Sequence, residues 1–233
     1  MTAIDGLVFD KDGTLFDFRK SWGNWVLALL PELTADAARQ AELAHVIGFD
    51  PVARDFAPDS PVIAGTAPEI AEVMLPFLPG QNHAALVALM NRLAAGAPMA
   101  EAVPLRPLFA GLRARGLRIG LATNDTELPA RNHLRSHGIE ADFDFVAGYD
   151  SGFGPKPAPG QLLGFARATG LDPGRVAMVG DSRHDMLAGR SAGMVCVAVL
   201  TGIAGADDLA PHADVVLPDI GALPGWLDSR NAA

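Results

Sequence analysis

The chain has 233 residues, with 18 Lys and Arg against 27 Asp and Glu, a formal charge of −9. That balance excludes nucleic acid as the main partner, since phosphate-backbone binding needs a basic surface. Hydrophobic residues at 49% and charged ones at 19% exclude a disordered chain, and the single Cys196 excludes a disulfide framework or a cysteine-built zinc cluster. The length suits one large domain, or a main domain carrying an insertion.

Met1 to Asp5 lack the basic and then apolar order of an export signal. The longest uncharged small-apolar stretch, 193–206, falls short of the ~20 residues needed to cross a bilayer. A cytoplasmic protein with no membrane contact is expected. The apolar run 4–9, stopped by Asp10, Lys11, Asp12 and Gly13, fits a strand buried on both faces.

From about residue 16 to 101 the pattern turns helical. An apolar stretch from Trp22 to Leu30 is expected to stop at Pro31, and a second, 34–47, at Gly48. Residues 50–65 are rich in Pro and Asp and read as a loop or minor hairpin. Thr66 and Glu69 have capping-box spacing ahead of a helix over 70–75. Another helix opens at Asn82, and Gly96 to Pro98 close the segment.

Thereafter strand and helix signals alternate. Strands are expected at 117–123, 143–147, 176–180, 195–200 and, more weakly, 214–217. Helices fall at 105–115, 127–137, 157–169, 182–192 and 206–210. Such alternation implies an α/β fold, a Rossmann-like parallel sheet between two helical layers, whose ligands bind at the carboxyl ends of the strands. Asp10, Thr123 and Asp181 each stand where a strand should stop.

Asp10 and Asp12, two apart on an extended chain, point the same way, so one carboxylate can attack a bound group while the other moves a proton. Read blandly, the same residues are a solvated turn. Asp181 and Asp185 add two acids at a helix start, where an Asp often only caps. Four acids gathered at strand ends repel one another unless a cation is present, and hard oxygen donors suit Mg²⁺. Thr123 and Asn124 offer donors for phosphoryl oxygens, although a cap explains them equally. Lys156, between Pro155 and Pro157, is a cation held in one direction.

Together and in this order, these elements resemble the haloacid dehalogenase-like hydrolase superfamily, most closely its phosphoglycolate phosphatase-like subgroup. The resemblance covers 1–15 and about 102–233, and the intervening 16–101 resembles that superfamily's C1-type helical cap. It implies a nucleophile at Asp10 forming an aspartyl-phosphate, a general acid/base at Asp12, and charge neutralisation by Lys156. Thr123 and the Asn124 backbone would hold the transferring group. Mg²⁺ would be bound by Asp10, the Asp12 carbonyl and Asp181, with Asp185 in support. Members cleaving carbon–halogen or carbon–phosphorus bonds typically lack an acid where Asp12 stands, so a phosphomonoesterase acting on a small phosphorylated metabolite is expected. A β-phosphoglucomutase-type sugar phosphomutase and an idle binding protein on the same fold are the alternatives. Arg19, Lys20 and Arg54 are candidates for the far end of the substrate, or else solvated surface.

Other signals read as structure. His133 and His137 have zinc-pair spacing, but Leu134 stands where the metalloprotease pattern needs Glu, so helix surface is expected. Trp22 and Trp25 suit packing inside the cap, or a lipid- or partner-binding stripe, and Cys196 suits a buried inert thiol. Oligomeric state leaves no trace.

Overall fold

The computed structural model describes residues 3–231; Met1 and Thr2, where the expected absence of an export signal begins, lie outside them. Strand β1 (Gly6–Phe9) leads into an excursion made of α1 (Phe18–Leu33), α2 (Ala37–Val46), a hairpin of β2 (Phe49–Asp50) and β3 (Asp55–Phe56), α3 (Ala67–Met74) and α4 (His83–Ala95). The chain then runs through α5 (Leu105–Ala114), β4 (Arg118–Ala122), α6 (Glu127–Ser136), β5 (Phe145–Ala147), α7 (Gly160–Thr169) and β6 (Val176–Gly180). It ends with α8 (Arg183–Ala192), β7 (Val195–Val199), α9 (Ala206–Leu209), β8 (Val215–Leu217) and α10 (Leu223–Asn231).

Six strands form one parallel sheet in the order β5-β4-β1-β6-β7-β8. The alternation of the sequence dictates its layering. Leu7 and Phe9 of β1 pack on one face with Phe109 and Leu112 of α5 and Leu134 of α6. Val8, between them, turns to the other face and meets Leu162 and Phe165 of α7 and Ala188 of α8. One short apolar strand thus feeds two cores, as side-chain alternation requires. Phe9 stands level with Leu121 on one side and Val179 on the other, so Asp10, Thr123 and Asp181 leave the sheet at one edge, within a residue of the same level.

The excursion after β1 has an apolar core of its own, with Trp25 and Leu29 of α1, Leu43 of α2, Ile70 and Met74 of α3, and Leu86 and Met90 of α4. Its two ends lie side by side: the Asp17 N–H donates to the Ala100 carbonyl (2.8 Å), and the Ala102 N–H to that of Leu15 (2.9 Å). The capping box at Thr66 forms, the Thr66 N–H reaching Glu69 Oε2 at 2.7 Å.

Three elements differ from expectation. Helix α1 runs past Pro31 to Leu33, because the buried Leu29 and Leu30 anchor its last turn and the Thr34 N–H closes on the Leu30 carbonyl. Helix α2 starts at Ala37 rather than near Thr34, since Asp36 caps it by accepting from the Ala38 N–H (2.9 Å). Helix α10 gave no periodic signal and forms by laying Leu223 and Leu227 against the α5 face of the sheet. No helix among the described residues is long and apolar enough to cross a membrane.

Candidate active site

Each acidic group is placed by the end of a strand. Asp10 follows β1, its N–H still bonded to the Val179 carbonyl at 2.8 Å. Asp181 follows β6, and Asp185 sits in the first turn of α8, where it closes a capping box with Ser182. Carboxylate oxygens of Asp10, Asp181 and Asp185 all lie within 4.8 Å of one another, and all three residues are buried. Lys156 Nζ stands 2.6 Å from Asp10 Oδ1 and 2.6 Å from Asp185 Oδ1. Ser182 N–H and Oγ occupy the other Asp185 oxygen at 3.0 and 2.6 Å, so both oxygens of that carboxylate are engaged.

One ammonium among several acids leaves the cluster short of positive charge. Burial pushes Asp10 up to about 7; Lys156 opposes this, while Asp185 and Asp12 add to it. Asp181 is raised well above the usual carboxylate range, by burial first and then by Asp10 and Asp185. Burial alone would lower Lys156, but Asp10 and Asp185 hold its pKa above the ordinary lysine value. Desolvated like charges of this kind favour protonation or a bound cation.

Asp181 is fitted between two glycines. Gly13, at φ +81°, and Gly202 both lie so close to its carboxylate that a Cβ on either would fall on it. Thr14 Oγ1 donates to Asp181 Oδ1 at 3.3 Å, and Thr201 Oγ donates to the Gly13 carbonyl at 2.5 Å. Asn124 grips the lysine loop: its Oδ1 accepts from the Lys156 N–H (2.8 Å), and its Nδ2 donates to the Lys156 carbonyl (2.9 Å) and to that of Ala64 (2.8 Å). The side chain of Asn124 is therefore spent on positioning Lys156. Thr123 Oγ1 accepts from the Asp125 N–H (3.1 Å), which leaves its proton free for another acceptor.

Asp12 lies outside the carboxylate cluster, in a second network that the spacing gave no sign of. Lys11, fully buried at 0% exposure, contacts Asp12 Oδ2 (3.1 Å), Asp125 Oδ2 (2.9 Å) and His133 Nδ1 (3.0 Å), with its Nζ 5.4 Å from the Trp22 ring centroid. Burial raises the Asp12 carboxyl above the ordinary value, against the pull of Lys11 and with a further push from Asp125. Asp12 Oδ1 and Trp22 Nε1 are buried and without a hydrogen-bond partner. His133 is no helix-surface residue: it is 2% exposed, wedged between Lys11 and the Ala94 carbonyl. Lys11 stands between two acids in the chain, and only the tertiary fold buries it.

Above these groups is a chamber. Its floor includes Asp10, Asp12, Thr123 and Lys156, and its roof comes from α1, the loop before α3, α3 and α4, with Phe18, Trp22, Trp25, Ile70, Met90 and Ala94 prominent. Arg19, Lys20 and Arg54 do not reach it. They border a separate surface hollow with Pro98 and Met99. Arg19 pairs with Asp55 (2.7 Å) and donates to the Gly202 carbonyl (3.0 Å), and Lys20 pairs with Asp17 (2.9 Å) while its side chain is 72% exposed. Arg19 and Lys20 thus have surface partners, and Arg54 borders the same hollow. Cys196 is buried in β7, its thiol pushed up to about 11 by burial.

Comparison with known proteins agrees with this arrangement. The chain is 29% identical over 225 residues to a phosphoglycolate phosphatase of Yersinia pestis, covering 92% of this chain and 89% of that one. A phosphoglycolate phosphatase of Neisseria gonorrhoeae is 36% identical over 115 residues, a match that spans about half of each protein (48% of both). The structure of a β-phosphoglucomutase from Clostridium difficile superposes with a TM-score of 0.67 at 17% identity, covering 99% of this chain and 100% of that one, a likeness of fold. A protein-family model described as haloacid dehalogenase-like hydrolase matches residues 4–193. That match starts at the strand delivering Asp10 and runs just past the helix carrying Asp185, so the chain belongs to the haloacid dehalogenase-like hydrolase family.

Proposed function

We propose that the protein is a divalent-cation-dependent phosphatase hydrolysing a small organic phosphate monoester, with residues 16–101 serving as a cap over a core of 1–15 and 102–233. The observation that carries this reading is the Asp10 carboxylate: Lys156 holds one oxygen at 2.6 Å, and the residue faces a half-open chamber. The second oxygen is left to attack. The phosphatase relatives from Yersinia and Neisseria support phosphate-ester chemistry.

In the first step Asp10 attacks phosphorus, the bond to the ester oxygen breaks, and that oxygen takes a proton from Asp12. The raised Asp12 pKa suits a group that must hold a proton until it is needed. Thr123, with its hydroxyl proton free, and the Asn124 backbone N–H hold the transferring oxygens, while Lys156 offsets their charge. In the second step Asp12 takes a proton from water, which attacks the aspartyl-phosphate and frees phosphate and Asp10.

The hard oxygen donors and the charge deficit fit a divalent cation such as Mg²⁺. Asp10 and Asp181 would hold it, with the Asp12 carbonyl, and Asp185 would support from behind because both its oxygens are engaged. Bound there, it would neutralise charge on the phosphoryl oxygens. The apolar roof offers little to a sugar's hydroxyls, which favours a hydrolase over a sugar phosphomutase.

Phosphate release from p-nitrophenyl phosphate, with Mg²⁺ and in EDTA, tests the reading. Asp10→Asn keeps the acceptor for Lys156 but is a far poorer nucleophile, and is expected to lower turnover at least about a thousandfold. Retained turnover in that variant, or full activity without divalent cations, would refute the proposal.

A further inference from the structure

We infer that the substrate's leaving group is uncharged and largely apolar, with no second anion within a few bonds of phosphorus. This rests on the phosphatase reading and narrows its substrate class away from phosphoglycolate, the substrate in the relatives' names.

The roof of the chamber is built from aromatic and aliphatic side chains of α1, α3 and α4, and Asn91 is the one neutral polar chain among them apart from the indoles. Among the described residues no arginine lines it, and its only lysine is Lys156, whose ammonium is already shared between Asp10 and Asp185 at 2.6 Å each. The cations of the inserted segment all lie elsewhere. Arg19 and Lys20 pair with Asp55 and Asp17, Arg39 pairs with Glu42 at 2.6 Å, and Arg54 and Arg92 do not line the chamber.

The chamber also carries three acids, Asp10, Asp12 and Asp125. A carboxylate two bonds from the ester oxygen would enter this space, lose its water and find no unengaged cation there. Desolvating an unpaired charge beside like charges is the least favourable form of burial. A neutral alkyl or aryl group instead meets Trp22, Trp25, Ile70 and Met90, and gains from leaving water. His184 is exposed and lines the chamber at its mouth, and with Arg183 and Ile203 it also borders an outer hollow. Water and salt screen His184 and Arg183 there.

The test is a set of matched phosphate esters with Mg²⁺: ethyl phosphate against phosphoglycolate, and benzyl phosphate against its α-carboxylated analogue, O-phosphomandelate. In each pair kcat/KM is expected to be at least about tenfold higher for the neutral member, the scale of one uncompensated charge contact. Ile63→Lys, on the half-buried loop lining the chamber, adds a cation and is expected to narrow both ratios by about fivefold or more. Equal or higher kcat/KM for the carboxylated members of the wild-type protein overturns the inference while leaving a phosphatase standing. Failure to hydrolyse any ester, p-nitrophenyl phosphate included, overturns the phosphatase reading and the inference with it.

Discussion

Lys11 and His133 meet through a single bond that fixes the imidazole's protonation: Lys11 Nζ lies 3.0 Å from His133 Nδ1. An ammonium only donates, so Nδ1 must accept, and the ring's proton sits on Nε2, which donates to the Ala94 carbonyl at 2.8 Å. The residue next to Asp10 is thereby tied, through one neutral ring, to the end of α4.

That ring should make the fold acid-sensitive. Burial, and then the Lys11 charge, push His133 down to about 3. Unfolded, it binds a proton below about 6.5. Between those values the unfolded chain binds more protons, so stability falls with falling pH, by up to about 1.4 kcal/mol per unit from this group. His133→Asn keeps an acceptor for Lys11 but does not titrate. Urea unfolding at pH 7.5 and 5.0 should show the gap between wild type and variant narrowing by about 1–2 kcal/mol on acidification. A constant gap would mean that the ring is protonated in the native state.

Lys156→Met should be costly in two ways. It leaves Asp10 and Asp185 buried without their shared cation, a loss of about 3–5 kcal/mol in metal-free buffer. It should also lower kcat for every ester, since the charge it offsets grows during transfer. Denaturation in EDTA checks the first effect, and adding Mg²⁺ should restore part of the stability. A variant as stable as wild type in EDTA would show that the acids are not repelling one another.

Gly202→Ala tests the fit around Asp181. The added methyl would fall on the carboxylate, so Asp181 must move. Activity is expected to drop about tenfold or more, and the Mg²⁺ concentration for half-maximal rate to rise, as for a displaced metal ligand. Circular dichroism should stay that of the wild type. Unchanged Mg²⁺ dependence would argue against Asp181 as a ligand.

Lys20→Ala should change nothing. Its exposed pair with Asp17 is worth about 0.5 kcal/mol or less, and it faces away from the chamber. Substrate ranking across charged and neutral esters should be preserved to within about twofold. A selective loss on carboxylated esters would return Lys20 to the substrate site.

The sheet was legible because each of its strands is a short apolar run ended by a turn cluster, and the acids stand at those ends. Asp10, Asp181, Asp185 and Lys156 stood out by residue type and position at strand ends or between prolines, and the fold brings the four together. Lys11 could not: burial of a lysine depends on Asp125 and His133, both more than a hundred residues away in the chain. Gly202 escaped for a similar reason, because its contact with Asp181 is made by backbone and has no sequence pattern. Arg19 and Lys20, charged and close behind the Asp10 turn, and Arg54, in the Pro-rich stretch, are candidates by charge and chain position, and neither says which surface a side chain faces. Pro31 misled because buried leucines in the final turn outweigh its local penalty.

The side-by-side ends of the excursion bear on how the chain finds its fold. Residues of β1 must meet partners on β4 roughly 110 positions on, Gly6 against Arg118, a closure that an unstructured loop makes slow. Once α1 to α4 have gathered around their own core, the Asp17–Ala100 and Leu15–Ala102 pairings turn that long detour into a short hop. Ordering of the excursion before the sheet would therefore speed the meeting of β1 and β4. Substitutions in its core, such as Leu29→Ala or Met74→Ala, would then slow folding as well as weaken the product.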